Sequence, residues 1–159
     1  MRRVLIVLLP VVLASCSSAP DSSATSEKKL VSTSNTDSKA FLDQTAAEPG
    51  AQRTASGLVY RVITAGTGAS PKATDTVKVH YRGTLTDGKQ FDSSYGGPPA
   101  EFPLNRVIPC WTEGVQLMKV GGKSKLTCPS NIAYGERGAP PDIPGGATLV
   151  FEIELLGIS

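Results

Sequence analysis

Histidine is nearly missing from this 159-residue chain: His80 is the only one. A His-based hydrolytic triad or a His-rich metal site therefore has almost no raw material, and three cysteines add little. Charge of one sign is also missing, with 16 basic against 14 acidic side chains. A nucleic-acid binder needs a clustered cationic surplus, so no nucleic-acid partner is expected. No apolar run is long enough to span a bilayer; the longest, Val4 to Leu13, has about ten residues and contains Pro10. There is no internal repeat and no heptad run. Whatever chemistry the chain performs is expected to proceed without metal, cofactor or nucleophile.

The N-terminus carries an address. Arg2 and Arg3 precede the apolar run, and small residues close it, as in a secretory signal. Leu13-Ala14-Ser15-Cys16 resembles the bacterial lipobox, which implies cleavage after residue 15 and lipidation of Cys16. Acyl chains would then hold the chain on the membrane. Ser17 follows where retention at the inner membrane typically uses Asp. The expected location is the outer membrane, facing the periplasm.

Residues 16–56 read as a tether. From Ser17 to Ala40, 11 of 24 residues are Ser or Thr and only Leu30 and Val31 are sizeable and apolar. Such a stretch buries too little surface to offset its chain entropy. Phe41 to Pro49 offers one or two helical turns, marginal in isolation.

The folded body is expected from Gly57 to Ser159, and its patterns are short and strand-like. Leu58 to Ile63 alternates, and Val77, Val79 and Tyr81 line one face of a second strand. Asp87-Gly88 signals a hairpin whose return is Gln90 to Ser93. Trp111, Val115 and Met118 share a helical face over 111–119, with Gly121-Gly122 as the stop. Lys123 to Thr127 reads as a strand, and Thr148 to Leu156 as a strand buried on both faces. Gly135 to Gly146 reads as a long loop, a feature that is usually functional. The fold class is α+β: an antiparallel sheet with one short helix packed across it.

Four separated strings carry a resemblance: VKVHYRGTLTDGKQFDSS (77–94), VIPCWTEGVQLMKVGGKSKL (107–126), IAYGERG, and IPGGATLVFEIELL (143–156). In order and spacing they resemble FKBP-type peptidyl-prolyl cis-trans isomerases (EC 5.2.1.8). The piece before them, TASGLVYRVITAGTG, resembles secreted members of the macrophage infectivity potentiator type. The resemblance implies a twisted antiparallel sheet wrapped on the helix and a pocket for the prolyl ring. By position, Trp111 would form the floor and Tyr81, Phe91 and Phe151 the walls. The Tyr134 hydroxyl and the Ile108 N–H would donate to substrate carbonyls. Val107 and Ile143 would complete the binding surface. Asp92 would be a partly desolvated carboxylate held by the Tyr81 hydroxyl. The resemblance further implies Xaa-Pro segments of exported proteins as substrates, and tacrolimus and rapamycin as inhibitors. The chain departs from the pattern at Ala100, Arg106 and Ala139, which bears on substrate preference. Residues 16–56 are too short and Ser-rich for the helical dimerisation region of many infectivity potentiators, so a monomer is expected.

Three further readings come from the residues themselves. His80, on the polar side of its strand, reads as structural rather than as a pH switch. Cys110 and Cys128 would face an oxidising compartment, either as a disulfide or as two buried thiols. A non-catalytic holdase on the same fold is the alternative function.

Overall fold

The computed structural model describes residues 37–159. Seven strands form one wholly antiparallel sheet: β1 (Ala51–Arg53), β2 (Val59–Thr64), β3 (Thr76–Leu85), β4 (Gln90–Ser93), β5 (Ala100–Pro103), β6 (Lys123–Cys128) and β7 (Leu149–Ile158). The order is β1-β2-β6-β7-β3-β4, with β5 also pairing along β3. β7 is interior in the sheet but is not buried on both faces as its sequence suggests: Glu152 and Glu154 interrupt the apolar run, and Glu152 pairs with Arg82 and Lys123 on the face away from the helix. Helix α2 (Pro109–Gln116) packs across one face of the sheet. Two adjacent rungs of the ladder show how the faces divide. Tyr60, Leu126, Phe151 and Gly83 are directly opposed across β2, β6, β7 and β3 and point to the helix. One residue along, Arg61, Lys125, Glu152 and Arg82 are opposed in the same way and point to the other face.

The core lies between α2 and the sheet. Trp111, Val115 and Met118 from the helix region meet Leu58, Leu126, Ile153 and Leu155, all buried. Gly114 makes the approach possible, since a Cβ there would run into the Leu126 side chain. The helix begins two residues earlier than its apolar spacing predicts. Pro109 has no N–H to leave unpaired and suits the first helical position. Cys110 in this first turn is joined by a disulfide to Cys128 at the end of β6, with the Cα atoms 5.9 Å apart.

Two ordered elements precede the boundary expected at Gly57. Residues 37–46 form a helix, α1, and β1 pairs with β2. Tertiary contacts supply what the local sequence does not advertise. Leu42 and Thr45 are buried, and Glu48 accepts hydrogen bonds from Arg61 (2.5 Å) and Lys125 (3.4 Å) on the face opposite α2. Structure thus extends into the segment read as a tether. Residues 16–36 of that segment, Cys16 and the signal stretch lie outside the described residues. Among the described residues no helix is long and apolar enough to cross a membrane.

Candidate active site

The aromatic residues of the helix-bearing face collect around Trp111. Its ring meets Tyr81 (5.2 Å between centroids), Phe151 (5.4 Å) and Phe102 (5.5 Å), each nearly perpendicular to it. Phe91 meets Phe151 in the same manner at 5.6 Å. Edge-to-face pairs place the positive ring edge on a neighbour's negative face, at about 0.5–1.5 kcal/mol each beyond area burial. Above this cluster opens a cavity of about 360 Å³, within the range of small-ligand sites. Trp111 is 5% exposed and forms its base. Val107 and Ile108 line one side, Tyr134 another.

The strand geometry explains how neighbours in sequence reach the same cavity. Strict alternation would place Phe91 and Asp92 on opposite faces of β4. The register instead runs Gly83↔Asp92 and then Thr84↔Gln90, so Phe91 is the extra residue of a β-bulge. Bulges re-aim side chains in this way, and both Phe91 and Asp92 line the cavity. Gly83 is the second requirement. A Cβ there would lie 2.6 Å from Phe91 Cζ and 3.0 Å from Phe151 Cε1, so only glycine lets those two rings close over β3.

The polar groups are few and arranged. The Tyr81 hydroxyl donates to Asp92 Oδ2 at 2.6 Å, and the Ser93 N–H donates to Oδ1 at 2.8 Å. Burial first, then the Asp92 hydrogen bond and charge, push the Tyr81 phenol well above its usual range. It therefore stays protonated and remains a donor across any physiological pH. Asp92 itself is exposed, more open than the partly desolvated carboxylate expected. It sits at the mouth, where water reaches it. Tyr134 is 41% exposed on the long loop. Ile108 stands at the N-cap of α2, where the backbone N–H has no intrahelical partner.

Eight of the nine anticipated pocket residues meet here: Tyr81, Phe91, Asp92, Val107, Ile108, Trp111, Tyr134 and Phe151 all line the cavity. Ile143 does not. It is 5% exposed within the core, and it exchanges two backbone hydrogen bonds with Ala139 that pinch the 135–146 loop. Phe102 and Arg106 line the cavity as well. Phe102 was missed although a signal existed, since Ala100, Phe102 and Leu104 alternate with Glu101 and Pro103. Ala100 leaves the wall short, and Phe102, two residues on, contributes a ring against Tyr81 at 5.8 Å. His80 lies on the opposite face, stacked on Tyr95 at 5.4 Å with Nδ1 3.2 Å from Ser94 Oγ.

The antiparallel sheet with its aromatic cavity at the N-terminus of α2 has known relatives. The family model described as FKBP-type peptidyl-prolyl cis-trans isomerase matches residues 68–156, and that of the domain amino terminal to it matches residues 14–62. The chain belongs to the FKBP-type peptidyl-prolyl cis-trans isomerase family. It is 61% identical over 119 residues to the FKBP-type peptidyl-prolyl cis-trans isomerase FkpA of Aeromonas hydrophila, covering 74% of this chain and 44% of that one. It is 56% identical to the FKBP-type 22 kDa isomerase of Escherichia coli, covering 74% and 58%. The chain thus spans about half the length of the curated relatives it matches. Among solved structures, Escherichia coli FkpA superposes with a TM-score of 0.80 at 46% identity, over 84% of this chain and 63% of that one. An isomerase from Pseudomonas syringae superposes at 0.77 and 40% identity, over 81% and 96%.

Proposed function

We propose that the chain is a peptidyl-prolyl cis-trans isomerase acting on Xaa-Pro bonds of exported proteins. The observation that carries this reading is the cavity, an aromatic floor and walls with few polar groups around them. Amide resonance sets a rotation barrier of ~18–20 kcal/mol, and the uncatalysed Xaa-Pro change takes tens to hundreds of seconds. Rotation breaks no covalent bond between heavy atoms and removes no proton, so neither a nucleophile nor a general base is required. The Tyr81 hydroxyl holds the Asp92 carboxylate in place by a hydrogen bond.

The twisted transition state loses resonance, and its carbonyl becomes less dipolar than in the planar ground state. A water-poor aromatic surface under the prolyl ring disfavours the planar form more than the twisted one. Only that difference accelerates the reaction, tenfold for each ~1.4 kcal/mol. Trp111 would seat the ring, while Tyr81, Phe91, Phe102 and Phe151 exclude water around it. The Tyr134 hydroxyl and the Ile108 N–H would hold flanking carbonyls. Tacrolimus and rapamycin would occupy the same cavity. The lipobox supports a periplasm-facing anchor at Cys16 on the outer membrane, with the domain acting as a monomer on emerging chains.

The test is isomerisation of a short peptide with a Leu-Pro or Phe-Pro bond by the full chain in mild detergent, with and without excess tacrolimus. Fast catalysis abolished by the drug, and reduced in a Phe151→Ala variant, is the expected result. A folded chain without catalysis defeats the reading, and suppression of aggregation of a proline-free client would then favour the holdase.

A further inference from the structure

Besides the sheet residues Tyr81, Phe91, Asp92, Phe102 and Phe151, two separate stretches of chain wall the cavity. One is the start of α2, which supplies Val107, Ile108 and Trp111. The other follows β6 through Pro129 and a short 3-10 turn (Ser130–Ile132) to Tyr134. Each stretch is tied mainly to itself. Trp111 and Thr112 donate to Ile108 O, and the Thr112 hydroxyl donates to Leu104 O. Beyond β6, Ile132 donates to Pro129 O, Ala133 to Ser130 O and Gly138 to Tyr134 O. Among the described residues no hydrogen bond joins the first stretch to the second. The covalent bond between Cys110 and Cys128 does, with both half-cystines completely buried. Cys110 lies between Ile108 and Trp111, and Cys128 is the last residue before the segment that carries Tyr134.

We propose that the Cys110–Cys128 disulfide is a positioning device for the cavity, fixing the Ile108–Trp111 edge against the Tyr134 wall. The inference rests on the isomerase reading above. A bond placed only for stability could join any two core positions; this one joins the two segments to which the isomerase reading assigns the donors for substrate carbonyls. Holding such donors matters because a hydrogen bond weakens steeply once its distance and angle leave a narrow range, so a shift of one wall against the other loosens the grip on the peptide. Opening the bond leaves the sheet hydrogen bonds and the aromatic cluster in place while releasing the spacing across the cavity. Both donors would grip the peptide in its ground and transition states alike, so their displacement raises KM more than it lowers kcat.

The experiment compares the full chain, oxidised and reduced with a dithiol, on a short Leu-Pro peptide at 10 °C in stabilising sulfate. Near-UV circular dichroism checks that the core is intact, and thiol titration in denaturant reports the redox state. A Cys110→Ala/Cys128→Val double variant repeats the comparison without reductant. A Val59→Ala variant, altered in the buried layer away from the cavity, serves as a matched loss of stability. The expected result is a rise in KM of about fivefold on reduction and in the double variant, restored by reoxidation, with kcat within about twofold and Val59→Ala unchanged in KM. An equal KM in both redox forms, or a rise that Val59→Ala matches, overturns the proposal. Should the oxidised chain fail to catalyse, the isomerase reading falls. The same comparison is then made on tacrolimus affinity through Trp111 fluorescence, where no redox dependence overturns the positioning role on its own account.

Discussion

Two adjacent rungs of one sheet, a single residue apart, carry opposite kinds of chemistry. On the helix side Tyr60, Leu126, Phe151 and Gly83 form the sheet's contribution to the buried apolar layer; on the other Arg61, Lys125, Glu152 and Arg82 build a row of charges. Glu152 faces Arg82 at 3.3 Å and Lys123 at 3.6 Å, while Glu48 bridges Arg61 and Lys125. The ionic row is half-exposed and each of its pairs is individually weak. The helix-side rung is buried, and its Phe151 ring is held edge-to-face by Trp111 and Phe91. Catalysis by differential solvation needs the second kind of surface, and the period-2 alternation of strands keeps the first kind away from it. If that division is correct, damage to the two rungs has different signatures: activity fails first on the helix side, and stability alone shifts on the other.

The largest effect is expected from Gly83→Ala. The added methyl has no space between Phe91 and Phe151, so the rings must separate or β3 must shift. Overpacking of this kind typically costs ~1–3 kcal/mol. With both walls moved, kcat/KM on a Leu-Pro peptide should fall at least ~30-fold, since small misplacements at a site are amplified. Near-normal activity in a folded variant would mean that the Phe91–Phe151 contact is incidental. Trp111→Leu comes next. It retains an apolar floor but loses three edge-to-face pairs, for a stability loss of ~2–4 kcal/mol and a kcat/KM loss of ~10-fold. Thermal melts and peptide assays at low temperature separate the two quantities.

The helix-side rung was far more legible than the features that aim it. Alternation in Val77-Val79-Tyr81 and helical spacing in Trp111-Val115-Met118 disclosed a sheet and its helix, because burial on one face imposes a period that composition carries. The four motif strings then pointed to eight side chains of the cavity. Three things stayed hidden. The bulge that turns Phe91 and Asp92 to the same side is a matter of register between strands and has no local signature. Phe102 lies in a four-residue strand ending in proline, too short for its alternation to stand out. Helix α1 and strand β1 depend on a clamp between Glu48 and two strands distant in sequence, so a Ser-rich approach and a marginal helix concealed them. Ile143, carried over by resemblance, packs in the core cluster that contains Trp111 and Phe151 and does not line the cavity.

A smaller effect sharpens the assignment of the polar rim. Tyr81→Phe removes the donor that pins Asp92 while keeping the ring against Trp111 and Phe102. The expected loss in kcat/KM is ~3–10-fold, because one charge-assisted hydrogen bond is removed and the apolar surface survives. The pH profile of kcat/KM in the parent should be flat through neutrality, since the Tyr81 phenol titrates far above it and no proton moves in the reaction. A bell-shaped profile centred near pH 7 would instead point to acid–base catalysis.

The smallest effect belongs to the ionic side, and its direction with pH is definite. Burial raises the Glu48 carboxyl, but the hydrogen bonds and charges of Arg61 and Lys125 outweigh it and hold the group below the ordinary Glu value. A carboxyl depressed in the folded state contributes its full stability above the unfolded value of ~4.3, and that contribution is lost as pH falls through the folded value. Because the Glu48 and Arg61 side chains are 32% and 39% exposed, solvent limits the network to about 0.5–1 kcal/mol. Glu48→Gln should therefore lower Tm at pH 7 by only ~2–5 °C and flatten the dependence of Tm on pH between about 5 and 3. Catalysis on short peptides should be unchanged, since the clamp lies across the sheet from the cavity. Limited proteolysis provides the local readout: cleavage in the 37–53 segment should accelerate in the variant while the sheet stays protected. A Glu48→Gln variant with the parent's acid profile and proteolysis rate would show that Leu42, Thr45, the Arg53–Asp43 ion pair and the β1–β2 ladder hold α1 and β1 without the Glu48 clamp. A loss of activity in that variant would show that the two faces of the sheet are coupled.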